Sequence, residues 1–280
     1  MYPILFEIGG FPITSFGVMM FLAFIAAAWT LSVQLGRRGL EREFAWDVLG
    51  WVALGGILGA KLYYLGLHWE DVLANPLGEL TSRAGLVWYG GFIGGAAAYL
   101  WQIRRHGMPL AGTFDAIAPG LALAQGIGRI GCFLVGDDYG LPTDSAVGVA
   151  FPEGTPPSTA GYLRQAGAEI PADIPDTQVL AVHPTQLYEA AAAFVICGVL
   201  WRLSRRRLAA GRLFALYLML AGTARFFIEI VRAKTDRFVF GLSTSQIVSL
   251  AIVLAGAVIW ARSRSRTPAP ADADATAVGA

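Results

Sequence analysis

Residues 8–36 read IGGFPITSFGVMMFLAFIAAAWTLSVQLG and contain no Asp, Glu, Lys or Arg. About 20 such residues, rising 1.5 Å each, cross the hydrocarbon of a bilayer, so this stretch is expected to be a membrane-spanning helix. Two more uncharged runs extend from Ala84 to Ile103 and from Phe238 to Ala261. Four shorter apolar runs, at about 46–67, 113–136, 184–203 and 211–232, carry one or a few charges each. The expected fold is all-α, a polytopic membrane helix bundle with seven transmembrane helices. Composition agrees: 55% of the 280 residues are hydrophobic and 15% charged, against about a quarter charged in soluble domains. A net charge of +1 offers no strongly basic face for nucleic acid. Cys132 and Cys197 both fall within spans, which makes a disulfide between them unexpected.

Lys and Arg gather in the loops that stay in the cytoplasm. Arg37, Arg38 and Arg42 follow the first span, Arg104 and Arg105 the third, Arg202 to Arg212 the fifth, and Arg262 to Arg266 the seventh. These are thirteen of the 21 cations, against five on the other side and three within spans. The N-terminus is therefore expected outside and the C-terminus in the cytoplasm. MYPILFEIGG has no basic n-region or small-residue cleavage pattern, so the first span reads as a retained anchor. Residues 1–262 form one transmembrane domain in this reading. It has an external loop at about 137–182, with a short helix near Tyr162–Ala166, and a disordered cytoplasmic tail at 263–280.

An ionisable group within the hydrocarbon is costly and marks a functional candidate. Arg129 lies near the outer end of the fourth span, and Arg225 and Glu229 in the outer half of the sixth. Glu189 falls in the first two turns of the fifth span, with His183 at its mouth; Tyr89 and Lys61 lie near outer ends. Asp47 and Asp115 fall toward the opposite side. A transporter would place its polar groups at the midplane. This distribution, gathered at one depth, suits a phospholipid headgroup, and arginine is the natural partner of its phosphate. Against this stands the simpler reading of Arg225 and Glu229 as a neutralising i,i+4 pair.

The string Gly126-Ile-Gly-Arg-Ile-Gly131 matches G-x-G-x-x-G, but it lies late in a membrane helix with no preceding strand, which excludes a dinucleotide site. Its glycines, like Gly55, Gly56, Gly59, Gly90, Gly91, Gly94 and Gly95, read as helix-packing seams. Those around Arg129 are further expected to leave room for a headgroup. In His183-Pro-Thr-Gln-Leu-Tyr-Glu189, proline suits the first helical turn, and Gln186 and Glu189 share a face. Tyr188 reads either as a lipid contact or as an interfacial aromatic anchor.

GRIGCFLVGDDYG (128–140), HPTQLYE (183–189) and RFFIEIVR (225–232) resemble the bacterial prolipoprotein diacylglyceryl transferase family. The glycine-rich third span and SQI (245–247) extend the likeness over nearly the whole chain. The resemblance implies a multi-pass enzyme of the bacterial cytoplasmic (inner) membrane, its active site facing the outer leaflet. Such an enzyme transfers a diacylglyceryl group from phosphatidylglycerol to the lipobox cysteine of a preprolipoprotein. The products are glycerol phosphate and a thioether, and neither metal nor diffusible cofactor is required. The partners implied are phosphatidylglycerol, the lipobox cysteine and membrane lipid, with no nucleic acid. It further implies Arg129, Arg225, Tyr188 and Gln186 as phosphatidylglycerol-binding residues, and His183, Glu189, Arg225, Glu229 and Tyr89 as catalytic ones.

The chain departs from the family pattern at four places. Tyr89 stands where a histidine precedes the two glycines, Cys132 and Val135 where asparagines stand, and Phe16 for a tyrosine. A phenol with a pKa of about 10 is a poor general base, which leaves His183 as the alternative. Cys132 reads as a small apolar core residue. A paralogue acting on another thiol or anionic lipid, a lipid binder without catalysis, and a small transporter are the competing readings.

Overall fold

Gly9 and Gly10, at φ +56° and +80°, turn the chain inside the first long apolar run. Two successive left-handed residues are what a two-residue hairpin loop requires. As a result β1 (Ile4–Ile8) pairs antiparallel with β2 (Phe11–Thr14). Residues 8–14, expected in the first span, are thus hairpin. Helix begins only at α1 (Ser15–Arg37), where Thr14 Oγ1 accepts the Gly17 N–H at 3.1 Å.

The computed structural model describes residues 1–82, 87–206, 208–233 and 241–263. After α1 come α2 (Phe44–Leu67), the short α3 (Trp69–Ala74) and α4 (Pro76–Thr81), α5 (Trp88–Arg105) and α6 (Leu110–Val135). The two-residue strands β3 (Val149–Ala150) and β4 (Ala181–Val182) pair antiparallel on either side of α7 (Ala160–Gln165). Next are α8 (Thr185–Leu203), α9 (Arg212–Ile228) with a 3-10 turn over Glu229–Val231, and α10 (Thr244–Arg262). Parts of the expected third and seventh spans, at 84–86 and 238–240, lie outside the described residues, as does the tail from 264.

Among the described residues, six helices are long and apolar enough to cross a membrane: α1, α2, α6, α8, α9 with its 3-10 turn, and α10. The 18-residue α5, which ends in Arg104 and Arg105, is not among them. The protein is a polytopic helical membrane protein, with the β1–β2 hairpin and the short β3–β4 pair added to the expected all-α bundle. Its outward faces are apolar, with Phe21, Leu62, Phe92, Val195 and Leu254 each more than 60% exposed, while Thr30, Gln34, Gln102, Thr113 and Asp115 are buried. That inversion suits a lipid solvent.

Close backbone contact holds α2 against α5. A Cβ on Gly59 would collide with the Gly90 carbonyl, and one on Gly94 with the Gly55 carbonyl. At the arginine-rich end, Asp115 of α6 caps α9, its carboxylate accepting from the Gly211 N–H (2.9 Å) and the Phe214 N–H (2.8 Å). Arg38 sits 3.7 Å away as counter-ion. A buried cluster ties the same end together: Leu31 and Leu35 of α1, Phe44, Ala45 and Val48 of α2, Tyr99 and Ile103 of α5, and Ala116 of α6.

The segment 137–182 folds into a small unit with its own core of Tyr139, Phe151, Leu163, Ala168 and Val182. The Tyr139 ring stacks on Phe151, and its hydroxyl donates to the Pro157 carbonyl at 2.8 Å. Arg164 of α7 ties the lower turn through the Pro171 and Ile174 carbonyls (2.6 and 2.7 Å) and Asp176. The helix expected near Tyr162–Ala166 is α7.

Candidate functional site

Three backbone segments meet at the loop-bearing end. α6 stops at Gly136, whose left-handed backbone (φ +76°) turns the chain into Asp137 and Asp138. The Gly140 N–H then donates to the His183 carbonyl (2.8 Å), and the His183 N–H returns to the Leu141 carbonyl (3.0 Å). The Leu141 N–H reaches the Val231 carbonyl at 2.8 Å. Gly140 permits this stitching, since a Cβ there would strike the Val231 carbonyl and the side chains of Thr185 and His183. The end of α6, the start of α8 and the turn after α9 are thereby brought together.

Glu189 of α8, 3% exposed, lies at the centre of the result. Its Oε2 is 2.6 Å from Arg129 Nε; its Oε1 is 3.0 Å from Arg232 Nη1 and 3.7 Å from Arg225 Nη1. Glu229 forms the second node, with Oε2 at 2.5 Å from Arg225 Nη1 and 3.8 Å from Arg232 Nε, while Oε1 accepts from Ser243 Oγ at 3.1 Å. Ser243 is itself fixed by a reciprocal capping box with Gln246 at the start of α10. Asp138 closes the ring: Oδ2 meets Arg129 Nη1 at 2.8 Å and Oδ1 meets Arg232 Nη2 at 2.5 Å. Among the described residues, the guanidiniums of Arg129, Arg225 and Arg232 face the carboxylates of Glu189, Glu229 and Asp138, so desolvation is offset by charge pairing.

A narrow crevice, with room for little more than a water molecule, runs from Glu189 and Arg225 between α8 and α9. Gln125, Ala192, Ala193, Ala221 and Ala224 line it. Charged at one end and walled with methyl groups beyond, it has the polarity of a glycerolipid. Arg225 Nη1 is buried there against Glu229 Oε2 at 2.5 Å.

Arg129, Glu189, Arg225 and Glu229 thus converge as the sequence suggests. Gln186 supports them from below, its side-chain amide donating to the Asp137 carbonyl, while Thr185 Oγ1 donates to the Asp138 carbonyl at 2.7 Å. His183 and Tyr188 form a neighbouring pair, with Nδ1 and the hydroxyl 3.2 Å apart. Tyr89 is not drawn in: it is 58% exposed at the start of α5, with its ring edge-on to Trp88. Lys61 is also elsewhere, donating to the Ser82 carbonyl at 2.9 Å.

Arg232 and Asp138 also belong to the site, although the sequence does not single them out. Arg232 was legible as the i+3 neighbour of Glu229, whereas Asp138 carried no signal beyond its place in a quoted motif. The room expected around Arg129 is not there: Phe194 packs on Gly126, Met20 lies beside Gly128, and Met19 and Phe16 cover Gly131. Gly126 and Gly131 are thus close-packing positions, whereas an added Cβ at Gly128 would meet Met20 at an ordinary 3.7 Å. Cys132 is buried, 3.7 Å from Arg129 Nη1, and both cysteines are free thiols. Among the described residues, the grouping with metal-ligand character is Cys132, Asp137 and Asp138, with ligand atoms within 4.8 Å of one another. Both Asp138 oxygens already face guanidiniums there, so a cation would meet Arg129 and Arg232 at close range. Burial raises the Asp137 carboxyl above the usual carboxylate range, and the neighbouring Asp138 charge adds to the rise.

Prolipoprotein diacylglyceryl transferase is the family whose sequence profile matches residues 3–262. The chain belongs to that family. A relative in Clostridium tetani, called phosphatidylglycerol–prolipoprotein diacylglyceryl transferase, is 33% identical over 256 residues, covering 91% of this chain and 95% of its own length. Relatives of the same name occur in Xanthomonas oryzae pv. oryzae (34% over 274 residues; 93% and 90%) and Pseudoalteromonas atlantica (32% over 271 residues; 92% and 89%). The family match takes in all three motifs that build the charged network.

Proposed function

We propose that the protein transfers the diacylglyceryl group of phosphatidylglycerol to the lipobox cysteine of preprolipoproteins. It does so at the outer leaflet of the bacterial cytoplasmic membrane. The observation that carries this reading is the convergence of Arg129, Arg225 and Glu189 at the polar end of an alanine-lined crevice. In the proposed topology α5 is the remaining span, giving seven, with the N-terminus outside and the arginine-rich end in the cytoplasm.

The reaction displaces phosphate from a glyceryl carbon. The thiol gives up its proton, the thiolate sulfur attacks the carbon bearing the phosphoester, and the carbon–oxygen bond breaks toward phosphate. A thioether forms and glycerol phosphate departs. Arg129 and Arg225 hold the phosphate and stabilise the charge it gains. Glu189 and Glu229 are positioning residues that keep those guanidiniums aimed, buried Gln186 holds the Asp137 carbonyl beneath them, and Tyr188 shapes the rim where the headgroup lies. Proton acceptance falls to His183 over Tyr89, since an imidazole near pKa 6.5 suits the task better than a phenol near 10. The thiolate is the nucleophile, and a free thiol has a pKa of about 8.5.

The substituted positions Tyr89, Cys132 and Phe16 favour a second reading, a paralogue of the same fold with another acceptor thiol or anionic lipid. Labelled phosphatidylglycerol supplied with a lipobox peptide separates the two, because only the first yields a labelled thioether. Arg129→Gln should abolish rescue of a strain depleted of its own transferase; full rescue would overturn the assignment.

A further inference from the structure

The end of the bundle away from the charged ring carries a second group of arginines, which the transfer reaction does not use. Arg38 there faces Asp115, the acid that also caps α9. Arg37 in the last turn of α1, and Arg202, Arg205 and Arg206 at the end of α8, are exposed, and among the described residues none of the four forms an ion pair. Glu41 and Glu43, in the turn after α1, are exposed and pair with none of them.

Arg37 is nevertheless held in place. Its guanidinium carbon lies 4.4 Å from the centre of the Trp201 ring, and Nη1 donates to Ser204 Oγ at 3.3 Å. Ser204 Oγ donates in turn to the Trp201 carbonyl at 2.8 Å. A guanidinium has five N–H groups. The hydroxyl takes one, and the others meet no protein acceptor among the described residues. Trp201 also stacks on Trp29 of α1, with centroids 5.9 Å apart and planes 16° from parallel. Since α1 and α8 both pack on α6, the two indoles span the gap between them. Trp29 precedes Arg37 by about 12 Å along the helix and is 52% exposed. Arg105 over Trp101 and Arg212 over Trp260 repeat the cation–ring contact at 5.2 Å, but neither guanidinium holds a hydroxyl and neither ring stacks on a second indole.

We propose that this corner of α1 and α8 is a binding site for an anionic phospholipid of the adjacent leaflet, separate from the site of transfer. Arg37 takes the headgroup phosphate through paired N–H groups, and Arg202, Arg205 and Arg206 add positive potential. The glycerol and upper acyl chains lie on Trp29 and Trp201, apolar surface one step deeper in the bilayer. A zwitterionic lipid has the same phosphate but brings an ammonium that the arginines repel. The leaflet is the cytoplasmic one in the proposed topology; binding itself depends neither on that topology nor on the transferase reading.

The test uses the full chain in phosphatidylcholine vesicles, with tryptophan quenching by brominated phosphatidic acid as the readout. Phosphatidic acid carries the anionic phosphate and lacks the headgroup glycerol of the transfer donor. In the wild type, quenching beyond that of brominated phosphatidylcholine should appear at low mole fraction and saturate. Arg37→Gln should raise the midpoint about tenfold. Arg37→Lys should raise it nearly as much, because lysine keeps the charge and loses the fork. Arg104→Gln removes one charge from the same end outside the cluster and should stay within about twofold of wild type. Replacing both Trp29 and Trp201 by Phe should abolish the saturable part. Equal shifts in Arg37→Gln and Arg104→Gln would overturn the proposal, leaving a diffuse basic surface. So would a wild-type midpoint in Arg37→Lys, quenching that does not saturate, or saturable quenching that survives loss of both indoles.

Discussion

At the loop-bearing end, α6, α8 and the turn after α9 bury three guanidiniums against acids, whereas α2 and α5 meet backbone to backbone at Gly55, Gly59, Gly90 and Gly94. In the first region removing either partner of a pair strands a charge; in the second any added atom must push the helices apart. Chemistry belongs with the first kind of contact and rigidity with the second. Tyr89 rides on the rigid pair, away from the paired charges.

The largest break in that contrast should come from Glu189→Ala. Losing the shared carboxylate leaves Arg129 and Arg232 under-compensated, at a cost of about 3–5 kcal/mol. Thermal unfolding in detergent should fall accordingly and thioether formation should cease; a variant with the wild-type melting temperature would contradict the central place given to Glu189. Next is Gly59→Val, whose branched side chain meets the Gly90 backbone. It should destabilise by about 1–3 kcal/mol, yet leave the affinity of the solubilised protein for short-chain phosphatidylglycerol unchanged. A loss of affinity equal to that of a network variant would erase the distinction between the two regions.

Tyr89→Phe should lower kcat by less than about threefold, well short of the ~10²–10⁴-fold that removal of a general base costs. A loss on that larger scale would move the proton acceptor onto α5. The smallest effect concerns pH. Asp137 has a carboxyl raised by burial, so its contribution to stability is complete below the ordinary aspartate pKa of about 3.9 and is lost as pH rises through the elevated folded value. Asp137→Asn should flatten the fall in melting temperature across that window and unfold no earlier than wild type at neutral pH. An identical pH dependence in the two proteins would place Asp137 in a wetter setting than its burial implies.

The bundle was legible because uncharged runs of span length admit few other readings, and Arg129, Glu189, Arg225 and Glu229 were legible because charge in such runs is conspicuous. What escaped was set by non-local backbone pairing. Asp138 reaches Arg232 only because Gly140, His183, Leu141 and Val231 are stitched together across three distant segments. The N-terminal hairpin was hidden for a different reason: counting charges ignores Gly9–Gly10 and Pro12, which are turn and strand-edge signals within an otherwise apolar run. The glycines flanking Arg129 misled in the opposite sense, since a missing side chain marks close approach without saying whether a neighbour or a ligand fills the gap.

The cluster of Leu31, Phe44, Tyr99 and Ala116 clasps the α2–α5 pair to its neighbours at the end away from the charged ring. The grip lies at the arginine-rich end, so the charged ring is held by its own ion pairs and backbone stitching. A two-tailed donor and a tethered peptide, neither able to leave the plane of the membrane, need a doorway cut in the wall and have no use for one in the roof.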